Sequence, residues 1–336
     1  MGEITKIAFT ICSNNYLAQA KTFADSFIIH NPEYTVLIGL VDKYSTDIDY
    51  TLFEQYEIVT IESLSIRDFE KLWKRHTIIE LNTSIKASFF KYIFEKYKSV
   101  QYAFYFDPDM MIFHSIKELE QKFISNDILL TPHILKPITI DSLWPNENLF
   151  LIYGIYNLGF IGVKNNSENT FSFLNWWEEH LMQQCYDKTK DGFFVDQLVI
   201  NFVPLFFKKV EVLNELGYNA APWNLQERRQ LKSCDENYIM EDGSYLTFYH
   251  FSSYQYLKPN VISKYFNRNT FENAPDYKSL YDIYLKLLIK NNIETYSKIE
   301  CHYIKERNKL HSPQTHKKGG RQLIKSLYHF ILFKKE

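Results

Sequence analysis

Between Ile4 and Tyr249 short apolar runs alternate with longer stretches of helical periodicity, and this alternation restricts the chain to an α/β fold with a mainly parallel sheet. Strands are expected at 7–11, 35–41, 58–61, 100–106, 128–131, 157–163 and 246–250, and helices at 17–29, 84–98, 116–123 and 168–182. The last helix carries Phe171, Leu174, Trp177 and Leu181 at spacings of three and four, a face to be buried as core. Beyond Pro259 the texture turns helical, at 278–289 and 293–310. The chain therefore divides into an α/β domain over 1–260, a helical appendage over 261–310 and a tail over 311–336.

One of the expected strands ends in an anomaly. Phe104-Tyr105-Phe106-Asp107-Pro108-Asp109 closes an apolar run with two carboxylates one residue apart, and Met110 to Phe113 is apolar again. Burying even a neutral polar group unpaired costs about 2–7 kcal/mol, so these acids need compensation. A divalent cation supplies it. Hard oxygen ligands suit magnesium or manganese, and a site with few protein carboxylates leaves positions for phosphate oxygens. Open α/β sheets hold ligands beyond the carboxyl ends of their strands, where these acids fall.

Other polar groups close apolar segments in the same way: Ser13, Asn14 and Asn15 after the first strand, Asn157 in Gly154 to Gly159, Asp196-Gln197 after Val195, and His250 after Tyr249. An imidazole such as His250 as a third ligand favours manganese over calcium. Each group also has an ordinary structural use. His250 can be a satisfied core histidine, Asn15 and Asp196 helix caps, Tyr16 a core ring, and Lys86 a surface lysine lying along its helix.

Charge and composition exclude several classes. With 38 Lys+Arg against 40 Asp+Glu there is no general attraction to nucleic acid. Cys12, Cys185, Cys234 and Cys301 stand far apart without a CxxC spacing, against a zinc knuckle or a dense disulfide framework and for a reducing, cytoplasmic setting. The first strand begins almost at once, with no basic region and apolar core of a signal peptide ahead of it. No apolar run reaches the roughly 18 residues of a spanning helix. The stretch 321–333 does place Leu323, Ile324, Leu327, Phe330 and Ile331 on one helical face, with Lys317, Lys318, Arg321, Lys325, Lys334 and Lys335 against the single Glu336. Such a tail can lie on the anionic inner face of a membrane, or dock on its own domain.

Taken together, the order of these motifs over residues 4–260 resembles the nucleotide-sugar glycosyltransferases of the GT-A fold, particularly glycosyltransferase family eight and related bacterial polysaccharide glycosyltransferases. The family's Asn-Tyr pair near the nucleotide matches Asn15-Tyr16, and its basic residue near the donor matches Lys86. Its metal-binding Asp-x-Asp matches Asp107-Pro108-Asp109, its Asn-Ala-Gly is similar to Asn157-Leu158-Gly159, its Asp-Gln pair matches Asp196-Gln197, and its late histidine ligand matches His250. The family's His-Tyr-x-Gly-x-x-Lys-Pro run is echoed only loosely by His250 to Ser253 and Lys258-Pro259.

The resemblance implies a Rossmann-like GT-A sheet flanked by helices. It also implies Mn2+ or Mg2+ held by Asp107, Asp109 and His250, and a donor, a UDP-hexose or similar nucleotide sugar, bound by Thr10, Asn15, Tyr16, Lys86, Asp107 and Asn157. Asp196 and Gln197 become the catalytic pair. A hexose would pass to a bacterial polysaccharide or a lipid-linked oligosaccharide, with retention at the anomeric carbon if the family's stereochemistry carries over. Inversion would instead require a general base, for which Asp141, Glu147 and Asp196 are available. Two further readings compete: a phosphatase of the haloacid dehalogenase type, whose nucleophile also sits in Asp-x-Asp after a strand, and a noncatalytic carbohydrate-binding protein.

Overall fold

The computed structural model describes residues 3–165, 167–234 and 237–311; the expected amphipathic stretch 321–333 lies outside the described residues. Seven strands precede residue 165: β1 (Ile7–Cys12), β2 (Thr35–Leu40), β3 (Glu57–Thr60), β4 (Tyr102–Phe106), β5 (Met110–Ile112), β6 (Ile128–Pro132) and β7 (Tyr156–Lys164). With the short strand Val210–Val212, six of them build a seven-stranded sheet in the order Val210–Val212, β6, β7, β4, β1, β2, β3. All its strands run one way except β7, which is antiparallel to β4 and β6. β5 stands outside this sheet.

The sequence of β1, Ile-Ala-Phe-Thr-Ile-Cys, is buried at all six positions, as expected of a strand covered on both faces. Successive side chains point to opposite sides. Ala8, Cys12, Val36, Ile38, Phe104 and Phe160 join one core, beneath α1 (Leu17–His30). Ile7, Phe9, Ile11, Leu37, Tyr105 and Ile161 join the other. That second layer is covered by α2 (Phe69–Arg75), α3 (Ile78–Ser84), α4 (Lys86–Lys96) and, after α5 (Lys117–Lys122) and α6 (Glu147–Tyr153), by α7 (Glu168–Gln184). This is the mainly parallel, Rossmann-like α/β architecture that the strand and helix alternation predicts.

Several local departures have physical causes. The helix expected at 84–98 runs from Lys86 to Lys96, and a separate helix not expected from sequence, α3, ends just ahead of it at Ser84, with Ile85 (φ −105°, ψ 2°) out of helical geometry between them. That break sets Lys86 at the first turn of α4. In α7, Leu174, Trp177 and Leu181 are buried as expected, but Phe171 is exposed and Phe173 takes the fourth buried place. The helix expected at 293–310 is interrupted between Ile293–Tyr296 and His302–His311. Helix Lys278–Lys290 does not stand apart: its Leu280, Tyr281, Tyr284 and Leu288 belong to the same core as α1 and Phe160. No helix among the described residues is long and apolar enough to cross a membrane.

Candidate active site

Asp107 is the first residue beyond β4, and its N–H donates to the Gly159 carbonyl of β7 at 2.7 Å. The chain then turns, with Met110 N–H on the Asp107 carbonyl, and enters β5. β5 pairs antiparallel with Phe248–His250, so that Met110 faces His250 directly. A three-residue ladder therefore brings an imidazole from 141 positions beyond Asp109 to the two acids, and Phe251 N–H closes the pair on the Asp109 carbonyl at 2.9 Å. One ligand atom from each of Asp107, Asp109 and His250 lies within 4.8 Å of the others. His250 Nε2 is 3.0 Å from Asp109 Oδ1 and 3.9 Å from Asp107 Oδ2. Burial disfavours a charged His250, yet Asp109 and then Asp107 outweigh it and hold its pKa above the ordinary histidine value.

The donor set fits a divalent cation. The outer oxygen of Asp107, Oδ1, is already engaged: the Tyr105 hydroxyl donates to it at 2.5 Å and the Lys86 ammonium lies 3.4 Å away. Oδ2 is left facing the imidazole, so the acid is oriented from behind with one oxygen free for an ion. The neighbouring Gly159 leaves room for this packing, since a Cβ there would stand 2.7 Å from His250 Cε1 and 2.8 Å from Asn157 Oδ1.

Lys86 is placed differently from its expected contact with the donor. It is 2% exposed, and its ammonium meets Asp196 Oδ2 at 2.7 Å, the Leu158 carbonyl at 2.8 Å and Asp107, above the Tyr105 ring at 4.3 Å. Burial lowers its pKa, and Asp107 and Asp196 raise it further than burial lowers it. Its ammonium is buried between the two acids and donates to the Leu158 carbonyl, so it joins the acids to each other from inside the fold. Asp196 is buried too; burial pushes its carboxyl pKa up, against the opposing pull of Lys86. It caps no helix: the 3-10 turn that follows has Gln197 at its cap position. The preceding Val195 has φ 38°, a costly conformation for a β-branched residue, imposed where Asp196 and Gln197 are set in place.

Asn157 and Gln197 form a closed amide network. Asn157 donates to Gln197 Oε1 (3.2 Å) and pairs with His133 Nε2 (3.3 Å), while its oxygen accepts from Gly159 N–H and from Asn219, both at 3.2 Å. Gln197 Oε1 also accepts from Leu158 N–H (3.0 Å), and its Nε2 donates to the Tyr153 carbonyl (2.8 Å). Asn157 thus has no polar atom left for a donor and acts as the support of Gln197. Burial pulls the pKa of His133 down to about 4, which matches a neutral ring with Nε2 as acceptor. Trp223 ties His133 to His250, with its indole N–H on the His133 carbonyl and its ring edge-on to His250 at 5.1 Å.

At the end of β1, the turn Asn14–Tyr16 buries Asn14 against Lys43, Tyr50 and Asp42. Asn15 keeps an amide oxygen with no hydrogen-bond partner, and Tyr16 is 42% exposed and lines a small cavity together with Asp109. Thr10 differs from expectation: it is wholly buried within β1, which closes it to direct contact with a nucleotide. Ser253, at the glycine position of the family's late histidine run, adopts φ 60°, the left-handed conformation that glycine adopts most easily, and Lys258 is exposed. Sequence reading gives no role to Tyr105 or Asn219, and none to His133 and Trp223 beyond their place in the runs Thr131-Pro132-His133 and Pro222-Trp223-Asn224. The only signal for Tyr105 was its position two residues ahead of an acid on the same strand face.

No protein-family model matches the chain. It is similar to two uncharacterized proteins of Bacillus subtilis (strain 168). YfnF is 24% identical over 291 residues, 86% of this chain and 94% of YfnF, and YfnD is 22% identical over 287 residues, 83% and 86%. Among solved structures it is similar to the galactosyltransferase LgtC in complex with donor and acceptor sugar analogs, at 13% identity and a TM-score of 0.49 over 90% of this chain and 99% of that one. It is also similar to the bifunctional glycosyltransferase WbbM, at 13% identity and a TM-score of 0.48 over 92% and 52%. A further likeness is to the glycosyltransferase GlyE of Streptococcus pneumoniae TIGR4, at 13% identity and a TM-score of 0.43 over 89% and 66%.

Proposed function

We propose that the chain is a metal-dependent glycosyltransferase that moves a hexose from a nucleotide sugar, a UDP-sugar by preference, to a bacterial polysaccharide or lipid-linked oligosaccharide at the inner face of the membrane. The observation that carries this reading is the meeting of Asp107, Asp109 and His250 at the carboxyl end of the sheet. These three residues would hold Mn2+ or Mg2+, which when bound neutralises charge on the diphosphate as a Lewis acid.

The chain's own residues have separable tasks in this reading. Tyr105 and Lys86 orient Asp107, and Lys86 also fixes Asp196. Tyr16 offers a partly exposed ring to the nucleoside, beside Asn15, whose buried amide oxygen has no hydrogen-bond partner of its own. Asn157 and the Leu158 N–H lock the Gln197 oxygen and the Tyr153 carbonyl takes one Nε2–H, which leaves the second Nε2–H to meet the sugar in a single orientation.

Retention is favoured by the state of the three acids that could act as a base. Asp141 is held by both terminal nitrogens of Arg268 (2.6 and 3.0 Å), Glu147 accepts from Ile138 N–H (2.9 Å), and Asp196 faces Lys86. With these acids engaged, the acceptor oxygen bonds to the anomeric carbon on the face from which the C–O bond to phosphate breaks. The acceptor's proton passes to the departing phosphate oxygen.

The test is nucleotide release from a panel of UDP-, GDP- and ADP-sugars with manganese. Release by the wild-type chain is expected to fall about 100-fold or more in Asp109→Asn, as for loss of a group that stabilises developing charge. Release that is absent with every donor, or equal in the two proteins, removes the reading.

A further inference from the structure

Beside Gln197 the surface is apolar over two segments where charge would be ordinary. Residues 148–157 and 198–209 contain no acid, and their only charges are Lys208 and Lys209. Leu151, Ile152 and Ile155 are 68, 44 and 46% exposed, and Phe202, Leu205 and Phe206 are 49, 78 and 59% exposed. The segments are fastened together, since Ile155 N–H donates to Asn201 Oδ1 at 2.8 Å, and the Phe202 and Phe206 rings stack at 5.2 Å. They also adjoin the candidate site: the Tyr153 carbonyl, between Ile152 and Ile155, is the acceptor of Gln197 Nε2.

Single exposed apolar side chains carry no message, but a contiguous group with a cationic edge does. Lys208 and Lys209 are exposed, and among the described residues neither is paired with a carboxylate. The charge pattern chooses the occupant. Two copies meeting through this face would bring lysine edges together with no acid in either segment to balance them, whereas an anionic bilayer supplies both an apolar interior and counter-charges at headgroup depth.

We propose that Leu151, Ile152, Ile155, Phe202, Leu205 and Phe206 seat the protein on an anionic phospholipid bilayer, with Lys208 and Lys209 at the headgroups. The Gln197 end of the site then opens beside the membrane, where a lipid-linked acceptor is presented. Only this last consequence rests on the proposed transferase reaction; the docking stands without it.

The test is sedimentation of the full chain with liposomes of phosphatidylcholine and phosphatidylglycerol at ionic strengths of about 0.1 and 0.5 M. Binding is expected to fall about tenfold or more in Leu151→Glu/Leu205→Glu at both ionic strengths, and in Lys208→Glu/Lys209→Glu at the lower one only. Both variants alter exposed side chains, so unfolding transitions and nucleotide release from a soluble donor are expected to stay at wild-type values, which separates failure of the docking from failure of the reaction. Wild-type binding that survives Leu151→Glu/Leu205→Glu overturns the proposal. So does a wild-type chain that ignores the liposomes, including one that forms a dimer which the same substitutions dissociate.

Discussion

The Lys86 ammonium lies 2.7 Å from Asp196 Oδ2, with the two side chains only 2 and 3% exposed. A lysine at the first turn of a helix is ordinarily a solvated residue, so its burial here follows from what surrounds it: an aromatic face, a carbonyl and two carboxylates. The pair is a linker between the acid at the end of β4 and the acid ahead of Gln197.

Removing one partner should therefore cost far more than removing both. Lys86→Met leaves the Asp196 carboxylate buried without a counter-charge, a change that typically costs about 3–5 kcal/mol. The double variant Lys86→Met/Asp196→Leu should recover most of that loss while abolishing nucleotide release. Urea unfolding at neutral pH measures both, and a Lys86→Met chain as stable as wild type would show that the pair is not closed to water.

His133 predicts how stability responds to acid. Its pKa is held near 4 in the fold by burial and stands near 6.5 for an exposed histidine, so the unfolded chain binds the extra proton first. The contribution is complete above pH 6.5 and is lost as pH falls from 6.5 towards 4, by up to about 3 kcal/mol. Protonation would also set an N–H of His133 against the Asn157 amide group that supports Gln197. His76, likewise held near 4 mainly by burial, acts in the same direction. The His133 share is therefore measured as the difference in pH dependence of unfolding between wild type and His133→Gln, with Gln expected to flatten the slope between pH 4 and 6.5.

The parts of the fold and site that were legible are those written in local pattern. Strands such as β1 and β4 announce themselves as unbroken apolar runs because both faces of the sheet are covered. Asp107 and Asp109 stand out because charge at the end of such a run demands compensation, and His250 followed from motif order. The illegible parts depend on contacts between distant segments. β5 is three residues long and exists as a strand only through its ladder with Phe248–His250, which no local signal encodes. The surroundings of Lys86 and Asn157 were illegible for the same reason: a residue type gives its chemistry, but which groups its polar atoms meet depends on Asp196, Gln197, His133 and Asn219.

Deletion of residues 317–336 tests the tail read from sequence. Six basic residues beside an apolar stripe should add to liposome binding at low ionic strength, each worth about 1 kcal/mol near an anionic surface, and the increment should vanish at high salt. Liposome sedimentation of the shortened chain that matches wild type at low salt would assign the tail to another role.

Gly159 offers the sharpest separation of ion binding from general stability. Its missing Cβ would approach Met110 Cε at 2.6 Å, His250 Cε1 at 2.7 Å and Asn157 Oδ1 at 2.8 Å. The methionine end can swing away, but the imidazole is held between Asp109 and Trp223, and Asn157 is fixed through both ends of its amide. Gly159→Ala should therefore displace His250 from the acids, weakening manganese binding about 10- to 100-fold, the range seen when the support of a metal ligand is disturbed. Gly162, three residues on in β7, is the matched control: its Cβ would press on Phe104 and Phe123 at 3.0 Å, away from the acids. Overpacking should cost either variant about 1–3 kcal/mol, so thermal unfolding moves in both. Titration of manganese by electron paramagnetic resonance should distinguish them, with Gly162→Ala binding as wild type does. Equal manganese affinity in Gly159→Ala and wild type would mean that His250 is not held against the acids by this packing.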